Sequence, residues 1–266
     1  MYDQFERKID YLRISVTDRC NLRCTYCMPA EGIQLLGHSD ILTFDEIVSF
    51  TKSAISFGVS KVRITGGEPL VRRGIVDLVS AIAELEGIED LSMTTNGTLL
   101  GHFAKSLKAA GMKRVNISLD TIDPVKYGEI TRGGNLFDAL RGVETAIAEG
   151  FDPVKINCVV SVSRNEIDAG EVEKYAKSVG AEVRFIKQMD LENGHFGVVD
   201  GGTGGNCTIC NRIRLTANGN VKPCLFNNLE YNIRRYGNDE AIRLALKNKP
   251  VCGTTNSNGS FYNIGG

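Results

Sequence analysis

The chain has 266 residues, 42% of them hydrophobic, enough for one large domain or one domain with an appendage. Its 31 Lys and Arg against 32 Asp and Glu leave a net charge of −1, so nothing draws it as a whole to nucleic acid or an anionic membrane, and an anionic ligand has to be held by a local basic cluster. No uninterrupted apolar run is long enough to cross a bilayer, and the charged start "MYDQFERKID" does not read as a secretory signal. A cytoplasmic protein is expected, and its eight cysteines should meet a reducing milieu, where clustered thiols bind metal or do redox chemistry.

The first predicted element is a strand at 11–17, "YLRISVT", followed at once by a cysteine-rich loop. A helix over about 43–57 opens with a capping box from Thr43 to Glu46. Strands at 61–65, 90–95, 114–120, 153–160 and 182–187 then alternate with helices over about 71–86, 100–110, 123–130, 135–149 and 168–179. Asp123-Pro124 reads as an N-cap with proline at the first helical position. Arg72 and Arg73 are either a solvated helix start or functional. Six β/α units predict an incomplete (β/α)6 TIM-like barrel, with an open doubly wound sheet as the competing architecture.

The strands alternate with a period of two. Leu12, Ile14 and Val16 share one face of the first strand; Arg13, Ser15 and Thr17 share the other. Lys61, Arg63 and Thr65 oppose Val62 and Ile64; Ser92, Thr94 and Asn96 fall together; Asn116, Ser118 and Asp120 oppose Val115, Ile117 and Leu119; Lys155 and Asn157 oppose Val154 and Ile156. A parallel sheet covered on both sides is normally apolar on both. This polar face is either open to solvent or the lining of a lumen that holds a large polar ligand, with cations for its phosphates or carboxylates. Cys158 falls on the helix-facing side and should pack in the core.

Beyond about residue 190 the rhythm stops. A glycine-rich loop leads into a short hairpin, "RIRLT"–"ANG"–"NVKPCLF", a helix near 238–248 and a Gly/Asn/Ser-rich tail. The domains expected are a partial barrel over 1–190 and a C-terminal auxiliary region over 191–266.

Two cysteine sets carry the chemistry. Cys20, Cys24 and Cys27 have a C-x3-C-x2-C spacing. Structural zinc usually takes four ligands, so this set is one short, whereas a four-iron four-sulfur (4Fe–4S) cluster on three thiolates keeps one iron open for a small molecule. Cys207, Cys210 and Cys224 have a C-x2-C-x13-C spacing, again three. Cys252 could add a fourth thiolate there, so zinc stays open on spacing alone; otherwise Cys252 is a free loop thiol. His38, His102 and His195 lie in no motif and should be on the surface.

With Tyr26 before the last cysteine, the first set resembles the radical S-adenosylmethionine (SAM) signature, and "GGEP" at Gly66–Pro69 resembles that superfamily's second motif. Further runs extend the resemblance to one family, the GTP 3′,8-cyclases of molybdenum cofactor biosynthesis. They are "LRISVTDRCNLRCTYCMPAEG", "LTFDEI", "VRITGGEPLVRR", "TTNGTLL", "VNISLDTID", "KINCVV", "RFIKQMD", "CTICNRIRLTANGNVKPCLF" and the terminal "GG". The resemblance implies a 4Fe–4S cluster on each cysteine set, the first serving SAM and the second docking the guanine base. It implies SAM contacts at Tyr26, Gly67, Ser118 and Met189, and GTP contacts at Arg13, Lys61, Arg63, Thr94, Lys155, Arg212 and Arg214. A 5′-deoxyadenosyl radical would take hydrogen from C3′ of the ribose, and C3′ would bond to C8 of guanine. The terminal pair Gly265 and Gly266 would enter the active site in a catalytic role, with Phe261 and Tyr262 anchoring the tail. Implied partners are GTP, an external electron donor and a downstream cyclic pyranopterin monophosphate synthase, with a homodimer left open and neither nucleic acid nor membrane expected. One departure is that the stretch from Met189 to Cys207 is shorter than the family usually has. The rival readings are a peptide-modifying radical SAM maturase and a non-enzymatic zinc-binding regulator.

Overall fold

A computed structural model describes residues 1–190 and 196–256. Its strands are β1 (Tyr11–Ser15), β2 (Lys61–Thr65), β3 (Asp90–Thr95), β4 (Arg114–Ser118), β5 (Val154–Val160), β6 (Glu182–Lys187), β7 (Arg212–Leu215), β8 (Asn220–Lys222) and β9 (Tyr231–Asn232). Its helices are α1 (Phe44–Ser56), α2 (Ile75–Ala83), α3 (Leu100–Ala109), α4 (Pro124–Thr131), α5 (Leu136–Ala148), α6 (Ile167–Val179), α7 (Ile233–Tyr236) and α8 (Asn238–Lys247). All form one nine-stranded sheet or pack on it, in the order β6-β5-β4-β3-β2-β1-β7-β8-β9.

That order separates the two architectures. Strands β1 to β6 are parallel and step one way without reversal. Right-handed crossovers in one direction put every helix on the same side of the sheet, whereas a doubly wound sheet reverses and is covered on both. The structure is therefore an open barrel arc. The buried core agrees: Leu12, Ile14, Val62, Ile64, Leu91, Met93, Val115, Ile117, Ile156 and Cys158 face the helices and cluster with Phe50, Leu78, Ile82, Leu107, Val143 and Val172. Burying each such side chain contributes roughly 1.5–3 kcal/mol.

The expected caps are present. Thr43 Oγ1 accepts from Glu46 N (3.2 Å), and the Glu46 carboxylate accepts from Thr43 N (2.7 Å). Asp123 accepts from Val125 N and Lys126 N at the start of α4. The helix expected over 71–86 is broken instead. A 3-10 turn at Pro69–Val71 comes first, capped by the Glu68 carboxylate, and α2 starts only after Gly74, whose φ is +78°. Gly74 permits this turn because it has no Cβ to clash in the left-handed region.

The C-terminal hairpin does not stand apart from the barrel. β7 pairs in parallel with β1, and β8 and β9 continue the sheet antiparallel, so β1 lies inside it with neighbours on both sides. Among the described residues, no helix is long and apolar enough to cross a membrane.

Candidate active site

The first cysteine loop leaves the C-terminal end of β1 and is fastened from two directions. From β2, Gly67 N donates to Thr17 O (2.7 Å) and Glu68 N to Arg19 O (2.8 Å). A Cβ on Gly67 would lie 2.3 Å from Arg19 O, and one on Gly66 would lie 2.8 Å from Thr17 O, so only glycine allows this approach. From α4, Arg23 N and Thr25 N donate to Thr131 O and Ile130 O, and the Arg132 guanidinium donates to Arg23 O (2.9 Å) and Met28 O (2.8 Å). Cys27 N donates to Cys24 O, which closes the turn between these two residues.

Polar groups at neighbouring strand ends complete this rim. The buried Glu68 carboxylate accepts from Leu70 N, Thr95 Oγ1 and Asn96 N; burial pushes it up to about 7 against those bonds. The Asn96 amide reaches Asn21 Oδ1 (2.8 Å) and the Cys20 sulfur (3.8 Å). Tyr26 donates its hydroxyl to Asp120 (2.7 Å), which also accepts from Val159 N (2.8 Å). Burial raises all three thiols, Cys24 and Cys27 to about 12, with Asp120 reinforcing both. Cys20, Cys24 and Cys27 thus lie on one braced loop as protonated sulfur donors, which a thiophilic metal can deprotonate as it binds. Among the described residues, no three Cys, His, Asp or Glu side chains already converge as a closed metal site.

Below this rim the strand register aligns charges in rows. Arg214 of β7 lies opposite Arg13 of β1, Arg13 opposite Arg63 of β2, Arg63 opposite Ser92 of β3, and Ser92 opposite Arg114 of β4. Four arginines thus occupy one row across five strands. Burial, then Arg214 and Arg63, push Arg13 well down; burial lowers Arg63 to about 10 and, with Arg212, Arg214 to about 10. Arg114 carries its own carboxylate, Asp90. Concentrating like charge out of water is unfavourable, and an anion in the adjoining cavity would offset it. The row borders a cavity of about 480 Å³, lined also by Lys61, Arg184, Arg212, Met189, Lys249 and the three cysteines of the second set. Part of the polar strand face, at Arg13, Lys61, Arg63 and Asn157, therefore lines a lumen.

The GTP residues implied by resemblance do not all share this lining. Arg13, Lys61, Arg63, Arg212 and Arg214 border the cavity, Lys61 while paired with Asp10 (3.0 Å). Thr94 and Lys155 are outside it: Lys155 pairs with Glu182, and the buried Thr94 Oγ1 has no partner among the described residues. Ser118 stands opposite Asn157 in register at the end of β4. Gly265, Gly266, Phe261, Tyr262 and His195 fall outside the described residues.

Cys210 precedes β7 and Cys224 follows β8, so the hairpin folds them toward each other. Lys249, nearly fully buried, donates to Arg212 O (2.7 Å) and Pro223 O (2.5 Å). Burial pushes the Cys210 thiol up, but Lys249, the Arg212 N–H, Arg212 and Arg214 outweigh it and hold it below the ordinary value. Cys210 and Cys224 lie beside Lys249 and Arg214, a setting that fits a thiolate-bound metal or cluster, whereas burial and Cys252 push the Cys207 thiol up.

Several side chains differ from expectation. Cys252 is a free, exposed loop thiol as expected, but its Sγ lies 2.9 Å from Cys207 Sγ. Arg72 is not solvated, since it donates to Val16 O and Leu42 O and stacks over Phe44 at 4.3 Å, while Arg73 is exposed. Arg114 and Arg184 also line the cavity, on the polar face that the period-two alternation of their strands defines. Lys249 follows α8 in no pattern, and only the folded chain places it between Cys210 and Cys224.

An arc of six parallel β/α units, with three thiols on the loop after the first strand and a glycine pair after the second, defines a radical SAM protein. The Radical SAM superfamily model matches residues 14–176, and the Molybdenum Cofactor Synthesis C model matches residues 158–250. The chain is 40% identical to a GTP 3′,8-cyclase of Limosilactobacillus fermentum over 94% of this chain and 91% of that one, and 42% identical to one of Thermodesulfovibrio yellowstonii over 88% and 87%. It belongs to the GTP 3′,8-cyclase family. The first alignment runs over 302 positions, more than the chain has residues, so relatives carry residues that this chain lacks. Among solved structures, Streptococcus suis SuiB bound to precursor peptide SuiA matches with a TM-score of 0.71 at 15% identity, over 97% of this chain and 71% of that one. SuiB bound to S-adenosylmethionine matches with a TM-score of 0.66 at 16% identity, over 86% and 64%. These likenesses show the fold. Membership of the superfamily implies a 4Fe–4S cluster and SAM.

Proposed function

We propose that this chain is a radical SAM lyase that converts GTP to 3′,8-cyclo-7,8-dihydro-GTP for molybdenum cofactor synthesis. The observation that carries the reading is the arginine row Arg214–Arg13–Arg63–Ser92–Arg114, bordering a cavity that reaches Cys207, Cys210 and Cys224. A triphosphate suits such a row, because guanidinium forks bind phosphate bidentately and lose little on desolvation.

Residues 1–190 act as the radical SAM partial barrel and 191–266 as the auxiliary-cluster region, and the nucleotide spans both. Cys20, Cys24 and Cys27 would hold the first cluster, which when bound supplies the electron that cleaves SAM to the species that removes hydrogen from C3′. Tyr26, Gly67, Ser118 and Met189 are assigned to SAM. The Tyr26–Asp120 bond fixes the ring, and the glycine pair lets the end of β2 pack directly on the cysteine loop. Cys207, Cys210 and Cys224 would hold a second 4Fe–4S cluster that accepts the guanine base. Arg13, Lys61, Arg63, Arg212 and Arg214 bind the phosphates; Lys155 joins them by leaving Glu182, and Thr94 by donating its hydroxyl. Gly265 and Gly266 close the nucleotide site. An external donor supplies the electron, and a cyclic pyranopterin monophosphate synthase consumes the product.

The test is anaerobic incubation of the reconstituted protein with GTP, SAM and dithionite. Formation of 5′-deoxyadenosine together with a cyclised nucleotide is expected. Cleavage of SAM without a GTP-derived product would overturn the cyclase reading and leave only the superfamily chemistry.

A further inference from the structure

Cys252 is unused by the proposed reaction, yet its thiol lies 2.9 Å from that of Cys207, and both are free. The backbone enforces this approach. The buried Arg7 donates to Cys207 O (2.8 Å), Val251 O (2.8 Å) and Pro250 O (2.6 Å), while its Nε is held by Asp3 (2.7 Å). One guanidinium thus staples the loop bearing Cys207 to the segment bearing Cys252. On the far side, a Cβ on Gly253 would lie 2.6 Å from Phe226 Cβ, and Thr254 N donates to Phe226 O (2.9 Å). The segment cannot carry Cys252 away without breaking these contacts. Cys252 is exposed, and Cys207 lies half-buried beside it.

We propose that Cys207 and Cys252 form a reversible disulfide in the metal-free protein, which withdraws Cys207 from the second cysteine set and blocks metal loading there until it is reduced. The blocking role rests on the reading of Cys207 as a cluster ligand. The oxidant is a small disulfide of the glutathione class. The exposed Cys252 thiolate attacks it, forming a mixed disulfide and releasing one small thiol. The Cys207 thiolate then attacks the Cys252 sulfur, forming the protein disulfide and releasing the second small thiol. Two protein thiols are oxidised, one small disulfide is reduced, and the two protons leave on the released thiols. A dithiol reverses both steps. Cys158, the other cysteine outside the two sets, is buried in the core.

The experiment uses the full chain, metal-free and anaerobic. After treatment with oxidised glutathione, free thiols are alkylated and the linked peptides mapped by mass spectrometry. Parallel samples receive ferrous iron and sulfide, with or without dithiothreitol, and bound iron is counted. Wild type should yield a Cys207–Cys252 peptide that dithiothreitol abolishes, and should load only the iron of the first set until reduced. Cys252→Ser should load both sets whether oxidised or not. Absence of the linked peptide, or equal loading of oxidised and reduced wild type, overturns the proposal. If reduced Cys252→Ser loads less iron than reduced wild type, Cys252 is itself a ligand and the switch falls. If reduced wild type loads no more than a Cys207/Cys210/Cys224 triple serine variant, the second-cluster reading fails and takes the blocking role with it, whatever the peptide map shows.

Discussion

The two cysteine regions differ in the charges around their thiols. Cys20, Cys24 and Cys27 sit on a loop braced by backbone bonds, with Asp120 and Glu68 as charged neighbours, and burial raises every one of them. Cys210 instead faces Lys249, Arg212 and Arg214, whose charges hold its thiol down. The comparison teaches that spacing distinguishes the two sets but not the charges that surround them, which only the folded chain supplies. One setting tolerates a cationic sulfonium ligand, and the other invites an anion.

The largest break in this contrast should come from Gly67→Val. Its Cβ would collide with backbone at 2.3 Å, and backbone cannot rotate aside. The variant should lose SAM cleavage and the iron of the first set while keeping that of the second, measured by iron content and electron paramagnetic resonance. Next, Arg214→Ala should weaken GTP binding at least tenfold, since a charge-assisted contact contributes about 1.5–3 kcal/mol, with SAM cleavage in the absence of GTP retained. Equilibrium dialysis with labelled GTP measures it. A smaller shift is expected for Lys249→Met in the metal-free protein. Removing the cation takes away part of what holds Cys210 down, so its alkylation by iodoacetamide should slow several-fold at neutral pH and recover at alkaline pH.

The smallest effect falls at the joint between the regions, where Arg234 grips the α1 capping residue Glu46 at 2.7 and 2.9 Å. The Arg234 hydrogen bonds hold the Glu46 carboxyl down to about 2. A depressed carboxyl stabilises the fold above its unfolded pKa of about 4.3 and loses that contribution as pH falls towards about 2. Glu46→Gln should therefore lower Tm by a degree or so at pH 7, and the gap to wild type should shrink as pH drops from 5 to 3.

Much of this was legible because it is local. The alternation in "YLRIS" and "KVRIT" separated the helix-facing residues from the lumen-facing ones before any pairing was known. The Thr43 and Asp123 caps follow from side chains bonding backbone two or three residues on. What escaped depends on contacts distant in sequence. Arg7 and Cys207 are separated by 200 residues, and Lys249 meets Arg212 across 37. The clasp that Arg72 makes on Val16 and Leu42 is equally silent in the local pattern, which reads "VRRG" as an ordinary helix start.

The parallel pairing of β7 with β1 bears on how the chain is made. Strand β1 begins at residue 11, and its outer neighbour begins at residue 212. Asn211 reaches back to Asp10 across 201 residues to join them. During synthesis from the N-terminus, the arc β1 to β6 can assemble while β1 still offers a bare row of backbone donors and acceptors. Such a row is a template for pairing with another chain. With domains emerging at about 5–20 residues per second, that edge stays open for several seconds to tens of seconds after β2 arrives. The hairpin that carries Cys210 and Cys224 is thus also the seal on the nascent barrel, and truncations ahead of residue 212 should aggregate rather than persist as smaller soluble arcs.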